Sequence, residues 1–131
     1  MFAWLFKKQS APADRAARGE WGEKHCLSYL QKKGFKYLDR NFRCKGGELD
    51  LIMVDSDGTI VFVEVKTSAN EEFADAEDVI TYAKKSRMKK ATRIFLAKHK
   101  IEDRSLCFDV VTIVLDKLEA EQIKHYANAF C

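Results

Sequence analysis

The sequence has few of the residues that zinc-binding and secreted proteins depend on. Its four cysteines include no CxxC pair, and its three histidines are scattered along the chain. This spacing indicates no zinc site, and without a secretory signal we expect no disulfide framework. We therefore expect reduced thiols in a cytoplasmic protein, with Cys26 and Cys107 as small core residues.

Long apolar runs are also absent. The apolar start, Met1–Phe6, is far shorter than the ~20 residues that span a bilayer. Two lysines follow it, whereas in a signal peptide the basic residues precede the apolar run. We expect residues 1–15 to form a flexible segment and residues 16–131 to fold as a single domain. A weak membrane-surface contact through the aromatic residues of this segment is the alternative.

No single sign of charge dominates. The 131 residues are 47% hydrophobic and 33% charged, with a net charge of +3. This composition is ordinary for a soluble globular protein, and so mild a basic excess identifies no partner.

Periodicity and turn residues predict a mixed α/β domain. The predicted order is a helix, three strands, a long helix and a fourth strand: Asp14–Lys33, Phe35–Cys44, two strands within Gly46–Lys66, Ala76–Lys100 and Leu106–Leu115. The first three strands would form a meander, and the long helix would cross over to place the fourth strand parallel to the third. The pattern leaves Glu119–Phe130 open as either a last strand or an irregular arm.

The stretch Gly46–Lys66 has charged residues inside apolar strands. Two strongly β-prone runs flank the turn signal Asp-Ser-Asp-Gly. Four charged residues interrupt these runs: Glu48, Asp50, Glu64 and Lys66. Burying an unpaired charge costs several kcal/mol, so these positions require an explanation.

The loop between these two strands decides which charges meet. A three-residue loop, Ser56–Gly58, would place Asp50 opposite Glu64 and Glu48 opposite Lys66. Opposed Cβ atoms lie roughly 4.5–5.5 Å apart, so two carboxylates there repel unless a cation lies between them. A two-residue loop would send Asp50 to the other face, so the metal hypothesis depends on the longer loop.

Basic residues gather on two predicted elements. Arg40, Arg43 and Lys45 lead into Gly46-Gly47, which is either a place where backbone approaches a ligand closely or a glycine turn with solvated charges. The bases of the long helix form either a solvated face or a phosphate-facing ridge. Its predicted apolar stripe is Ile80, Ala83, Met88, Ala91 and Phe95. Lys84 falls within this stripe, and it either extends to the edge or points at an acid.

Two acids outside the hairpin have alternative interpretations. Glu23 lies one turn from Glu20 on the first helix, where acids are usually solvated and favour the helix dipole. Asp109 interrupts the apolar fourth strand, whose pattern predicts burial on both faces. It would either support metal ligands from behind or pair with a base.

The order of these residues resembles that of the PD-(D/E)xK nuclease superfamily. It resembles more closely the YraN-like family of bacterial proteins. The members of that family are predicted to be endonucleases similar to Holliday junction resolvases. The resemblance covers roughly residues 19 to 130. It is carried by Gly22-Glu23, Tyr29-Leu30, Gly34-Phe35, Arg40–Arg43, Gly47–Ile52, Val61–Lys66, Lys84, Arg87, Phe108–Val111 and Asn128–Phe130.

The resemblance implies a role for each residue of the acidic set. Asp50, Glu64, the Val65 carbonyl and Glu23 would hold Mg²⁺ or Mn²⁺. Lys66 would orient the attacking water or stabilise charge on the phosphate. Glu48 and Asp109 would contact these groups without binding the metal themselves. The bases facing nucleic acid would be Arg40, Arg43, Lys45, Lys84 and Arg87.

The chain departs from the family pattern at its periphery. No base lies near Thr67-Ser68, and Phe73-Ala74 stands where Phe-Gly is usual. Two hypotheses follow: a metal-dependent endonuclease acting on DNA rather than RNA, including branched or damaged DNA, or a non-catalytic nucleic-acid-binding or assembly module. A structural ion-pair network of Asp50, Glu64 and Lys66 is a third. Analogy with resolvase-like folds suggests a homodimer, and no small-molecule cofactor is expected.

Overall fold

The computed structural model of the protein describes residues 15–68, 80–115 and 121–130. Within these ranges the elements are α1 (Arg15–Lys32), β1 (Lys36–Cys44), β2 (Gly47–Val54), β3 (Ile60–Ser68), α2 (Tyr82–Lys98), β4 (Leu106–Leu115) and β5 (Glu121–Phe130). The predictions made for Met1–Phe6 and for Phe73-Ala74 lie outside the described residues. Neither described helix is long and apolar enough to cross a membrane.

The strands form one mixed sheet in the order β1-β2-β3-β4-β5. β3 and β4 are parallel, whereas each other neighbouring pair is antiparallel. The predicted meander and the parallel fourth strand are therefore confirmed. The C-terminal segment, which the sequence left open, forms a strand, β5, on the far side of β4.

A helix covers each face of the sheet. On one face, Trp21, Cys26 and Leu30 of α1 pack against a cluster that includes Val61. On the other face, Met88, Ala91 and Phe95 of α2 pack against a cluster that includes Phe62. Successive strand residues point to opposite faces, which is why neighbouring positions of β3 belong to different clusters. The predicted mixed α/β class is confirmed, and the structure places the sheet between α1 and α2.

The β2–β3 hairpin has the predicted three-residue loop. Its ladder runs from Val54↔Ile60 to Leu51↔Val63. The Asp55 N–H donates to the Thr59 carbonyl at 3.0 Å, and Gly58 has a φ of 85°. A side chain is disfavoured at that φ, so glycine suits the position that closes the loop. The register on which the metal hypothesis depends is confirmed.

Helix α2 begins later than predicted. Thr81 is its N-cap, and the Thr81 hydroxyl accepts the Lys84 N–H at 3.1 Å. An N-cap residue has non-helical backbone, so α2 starts at Tyr82, and the predicted start, Ala76, lies outside the described residues. The predicted stripe is confirmed at Met88, Ala91 and Phe95, which are buried on α2, whereas Ile80 is buried but precedes the helix.

Ala83 is a correction to that stripe, because it is exposed. It lies five residues before Met88, and five helical steps of ~100° turn it well away from the buried face. The buried position that the pattern missed is Thr92, one turn after Met88.

Candidate active site

The two central acids meet at the end of the hairpin ladder. Backbone pairing between β2 and β3 stops at Leu51↔Val63. Beyond it, Asp50 accepts the Val65 N–H through Oδ2 at 3.0 Å. The Asp50 side chain thus takes the place of a backbone carbonyl as the acceptor for β3. This hydrogen bond fixes the Asp50 carboxylate beside Glu64.

Glu64 is a buried acid with unequal oxygens. Its side chain is 2% exposed, and Oε2 lies 3.4 Å from Lys84 Nζ and 3.9 Å from Lys66 Nζ. Oε1 is buried and has no hydrogen-bond partner in the described part of the chain. Burial, followed by the charge of Asp50, raises the pKa of Glu64 to about 8, although the two lysines oppose the shift. A buried carboxylate in this position favours either a proton or a cation.

Glu23 faces this pair from α1. Burial and then the charge of Asp50 raise the pKa of Glu23 to about 7, while a hydrogen bond with the Asn41 side chain and the charge of Arg40 oppose the shift. The structure thus brings Glu23 towards Asp50, and it is not the fully solvated acid of the simpler interpretation.

Asn41 is a site residue that the sequence interpretation missed. It lies within β1 but has a φ of 51°. Asparagine is several-fold enriched among non-glycine residues in this left-handed region. The available signal was an asparagine between two bases in an otherwise β-prone strand. Its position allows the side chain to reach Glu23.

Glu48 does not face Lys66, and this corrects the predicted pairing. Its Oε1 lies 3.4 Å from Lys84 Nζ, and its Oε2 lies 3.8 Å from Arg43 Nε. The β1–β2 ladder continues through Arg43↔Glu48, whereas the β2–β3 ladder ends before it. The neighbours of Glu48 are therefore β1 and α2 rather than β3.

Lys84 points at acids, which confirms one of the two alternatives predicted for it. Its side chain is 20% exposed and contacts both Glu48 and Glu64. Burial opposes its charge, but the surrounding carboxylates, Glu64 foremost, outweigh burial and raise the pKa of the amine. α2 thus contributes a cation beside the acids that β2 and β3 contribute to the site.

Asp109 lies on the other face of the sheet. It is opposite Val63 in the parallel ladder, so its side chain and that of Glu64 point in opposite directions. Its Oδ2 lies 2.6 Å from His125 Nε2, and its Oδ1 accepts the Asn128 N–H at 2.8 Å. Both carboxylate oxygens of Asp109 therefore link β4 to β5 through polar contacts.

Gly46 and Gly47 form a turn and a helix contact. Gly46 has a φ of 81°, and Gly47 is buried. A Cβ at Gly47 would overlap the Arg87 carbonyl oxygen, so this glycine allows the α2 backbone, rather than a ligand, to approach β2. The four bases predicted to face nucleic acid alongside Lys84 are all exposed: Arg40, Arg43, Lys45 and Arg87. The sequence interpretation did not single out Lys90, whose ammonium lies over Gly46.

The carboxylates of Asp50 and Glu64 suit a hard cation whose remaining ligands are water and substrate oxygens. Among residues 15–68, 80–115 and 121–130, no three His, Cys, Asp or Glu side chains are grouped to hold a metal by themselves. Mg²⁺ commonly takes one or two carboxylates and completes its octahedron with water and substrate phosphates. The unpartnered Oε1 of Glu64 and the adjacent Asp50 offer such donors. The residues present fit Mg²⁺ or Mn²⁺.

Comparison with known proteins assigns the chain to a family. Residues 22–113 match the model of the Uncharacterised protein family UPF0102. The chain belongs to this family. The UPF0102 match spans Glu23, Asp50, Glu64 and Lys84, and it confirms the resemblance to the YraN-like proteins.

Individual UPF0102 proteins match most of the chain. The relative from Syntrophomonas wolfei is 41% identical, over 86% of this chain and 96% of the relative. The relative from Pelobacter propionicus is 35% identical, over 92% of this chain and 87% of the relative. The relative from Ralstonia pickettii is 45% identical, over 75% of this chain and 81% of the relative.

Proposed function

We propose that the protein is a metal-dependent endonuclease that hydrolyses phosphodiester bonds of DNA, including branched or damaged DNA. The observation that carries the proposal is the buried Glu64 carboxylate, which lies against Asp50 and leaves one oxygen without a partner. Burying Glu64 beside the half-buried Asp50 destabilises a fold, so a cation that binds between the two acids best explains their arrangement.

The residues of the chain divide the chemistry among them. Asp50, Glu64 and the Val65 carbonyl would hold Mg²⁺ or Mn²⁺, and Glu23 would complete the set directly or through water. The ion supplies a polarised phosphoryl oxygen and an activated water. Lys66, whose side chain is 42% exposed, would orient that water or stabilise charge developing on the phosphate.

Exposed bases on β1 and α2 would bind the nucleic-acid backbone. Arg40 and Arg43 lie on β1, Lys45 follows it, and Arg87 lies on α2 beside Gly47. Such contacts neutralise phosphates and position the duplex, but they do not read the base sequence. We therefore expect recognition of nucleic-acid shape.

A titration with Mn²⁺ and Mg²⁺ tests the proposal. Wild type and Asp50→Ala are compared by calorimetry, with and without DNA, and then incubated with linear, single-stranded and branched DNA. We expect metal binding and metal-dependent cleavage by wild type, and the loss of both in Asp50→Ala with the fold retained. Glu102→Ala, which removes an exposed acid, is the matched control. Cleavage by Asp50→Ala at the wild-type rate would contradict the proposal.

A nucleic-acid-binding module without catalysis is the second candidate. The observation that favours it is that the described residues hold no ready group of three acidic, histidine or cysteine ligands. This module would bind DNA in a salt-dependent way and give no metal-dependent product. The same binding and cleavage assays separate the two candidates.

A further inference from the structure

Lys84 bridges two acids of different strands. Its Nζ lies 3.4 Å from Glu48 Oε1 and 3.4 Å from Glu64 Oε2. The contact with Glu48 also meets hydrogen-bond geometry. Glu64 is 2% exposed and Glu48 is 34% exposed, so the lysine connects a deep acid to one near the surface.

The fold fixes the separation between Glu48 and Lys84. The residue before Glu48, Gly47, lies against the carbonyl of Arg87, which follows Lys84 by one helical turn. This close backbone contact sets α2 at a fixed height above β2. The Thr81 cap fixes the start of the same turn through the Lys84 N–H. Both ends of the ion pair therefore stand on rigid elements.

We propose that Glu48 is a positioning residue that holds the Lys84 ammonium beside Glu64. It acts on the metal site through Lys84 and is not itself a metal ligand. This inference rests on the proposed function, because it assigns Glu48 and Lys84 their places in the same site. A lysine has a flexible four-carbon stem, so a second acid is needed to keep its charge in one place.

The arrangement has a consequence for metal affinity. A divalent cation bound at Glu64 would stand close to the fixed ammonium of Lys84, and like charges a few ångströms apart repel. Glu48 offsets part of that repulsion, because its carboxylate contacts the same ammonium. In Glu48→Gln the Lys84 ammonium would keep Glu64 as its remaining close acid and compete with the cation for that carboxylate. Removing Glu48 therefore weakens metal binding more when Lys84 is present than when it is absent.

A double-mutant cycle on Mn²⁺ affinity tests this dependence. We expect Lys84→Met to tighten Mn²⁺ binding by about tenfold or more, and Glu48→Gln to weaken it by about threefold or more. In the Lys84→Met background, Glu48→Gln should change the affinity by less than about twofold. Lys89→Met, which removes an exposed α2 charge, should leave the affinity unchanged. Equal weakening by Glu48→Gln in both backgrounds would overturn the proposal, because it would make Glu48 a ligand.

A second measurement needs neither metal nor cleavage. The reactivity of each lysine towards an N-hydroxysuccinimide ester of acetic acid is followed by mass spectrometry in wild type and Glu48→Gln. We expect Lys84 to react about threefold faster in the variant, within the range of an ion pair of this exposure, and Lys89 to be unchanged. An unchanged Lys84 rate would overturn the positioning role. Failure of wild type to bind Mn²⁺, with or without DNA, would instead overturn the proposed function while this measurement still decides the role of Glu48.

Discussion

At the scale of single residues, the buried acid of the site lowers the stability of the folded protein. Glu64 has two ammonium groups near one oxygen and no hydrogen-bond partner for the other among the described residues. The two lysines do not fully compensate for burial and for Asp50, since the pKa of Glu64 remains raised to about 8. Functional sites commonly lower stability in this way.

The raised pKa of Glu64 predicts how stability depends on pH. The folded protein binds this proton more tightly than the unfolded chain, where the pKa is near 4.5. The resulting stabilisation is complete below pH 4.5 and is lost as pH rises through about 8. In chelator, we therefore expect Glu64→Gln to exceed wild type in its free energy of unfolding by on the order of a few kcal/mol near pH 8, and by less near pH 5.

Urea unfolding of both proteins at several pH values between these limits measures the effect. The exposed Glu102→Gln is the control, and it should follow wild type at each pH. A difference between Glu64→Gln and wild type that does not change with pH would contradict the prediction.

At the scale of elements, two glycines set how closely the helices approach the sheet. Gly47 lies against the backbone of α2, and a Cβ at Gly22 of α1 would overlap the Thr67 hydroxyl of β3. Each glycine adjoins a site acid, Glu48 or Glu23, in sequence. The helix contacts that bury the core therefore also set the positions of the site side chains.

Substituting Gly47 should show this close approach. Gly47→Ala places a methyl against the Arg87 carbonyl and the Ala91 backbone, so α2 must move. We expect a loss of about 1–3 kcal/mol in the free energy of unfolding. Gly19→Ala is the control: no atom lies within 4 Å of its added Cβ, and in a helix it should gain about 0.5–1 kcal/mol. Equal effects of the two substitutions on urea unfolding would refute the explanation.

At the scale of the whole molecule, local patterns predicted the sheet and much of the site. The Asp-Ser-Asp-Gly turn determined the β2–β3 register, which is why the meeting of Asp50 and Glu64 could be predicted. Alternation and the crossover helix then predicted the parallel β4. These features depend on residues close in sequence or on a fixed strand period.

Contacts between distant elements could not be predicted in the same way. The partner of Glu48 depends on how closely α2 lies on β2, which Gly47 decides through packing. The Asp109–His125 contact depends on the pairing of β4 with a segment whose pattern was ambiguous. Asn41 required an exceptional φ inside a strand. Tertiary packing, rather than propensity, determines each of these.

The exposed bases predict a salt-dependent surface that extends over β1 and α2. We expect Lys45→Ala and Arg87→Ala each to weaken DNA binding similarly for unrelated sequences. Each should reduce the slope of log affinity against log salt by about one. Lys36→Ala removes an exposed base at the opposite end of β1 and should leave the slope unchanged. Fluorescence anisotropy over a salt series measures the slopes, and equal slopes for all variants would contradict this surface.

The short β2–β3 loop also predicts the order in which the site assembles as the chain folds. The hairpin that joins Asp50 to Glu64 encloses three loop residues, and closing so short a loop is fast and costs little entropy. Lys84 arrives on the crossover helix, whose docking requires longer-range contacts and is therefore slower. On the ribosome the same order holds, because the acids are synthesised before Lys84. The nascent hairpin thus carries its clustered negative charge before the chain can supply the helix-borne ammonium.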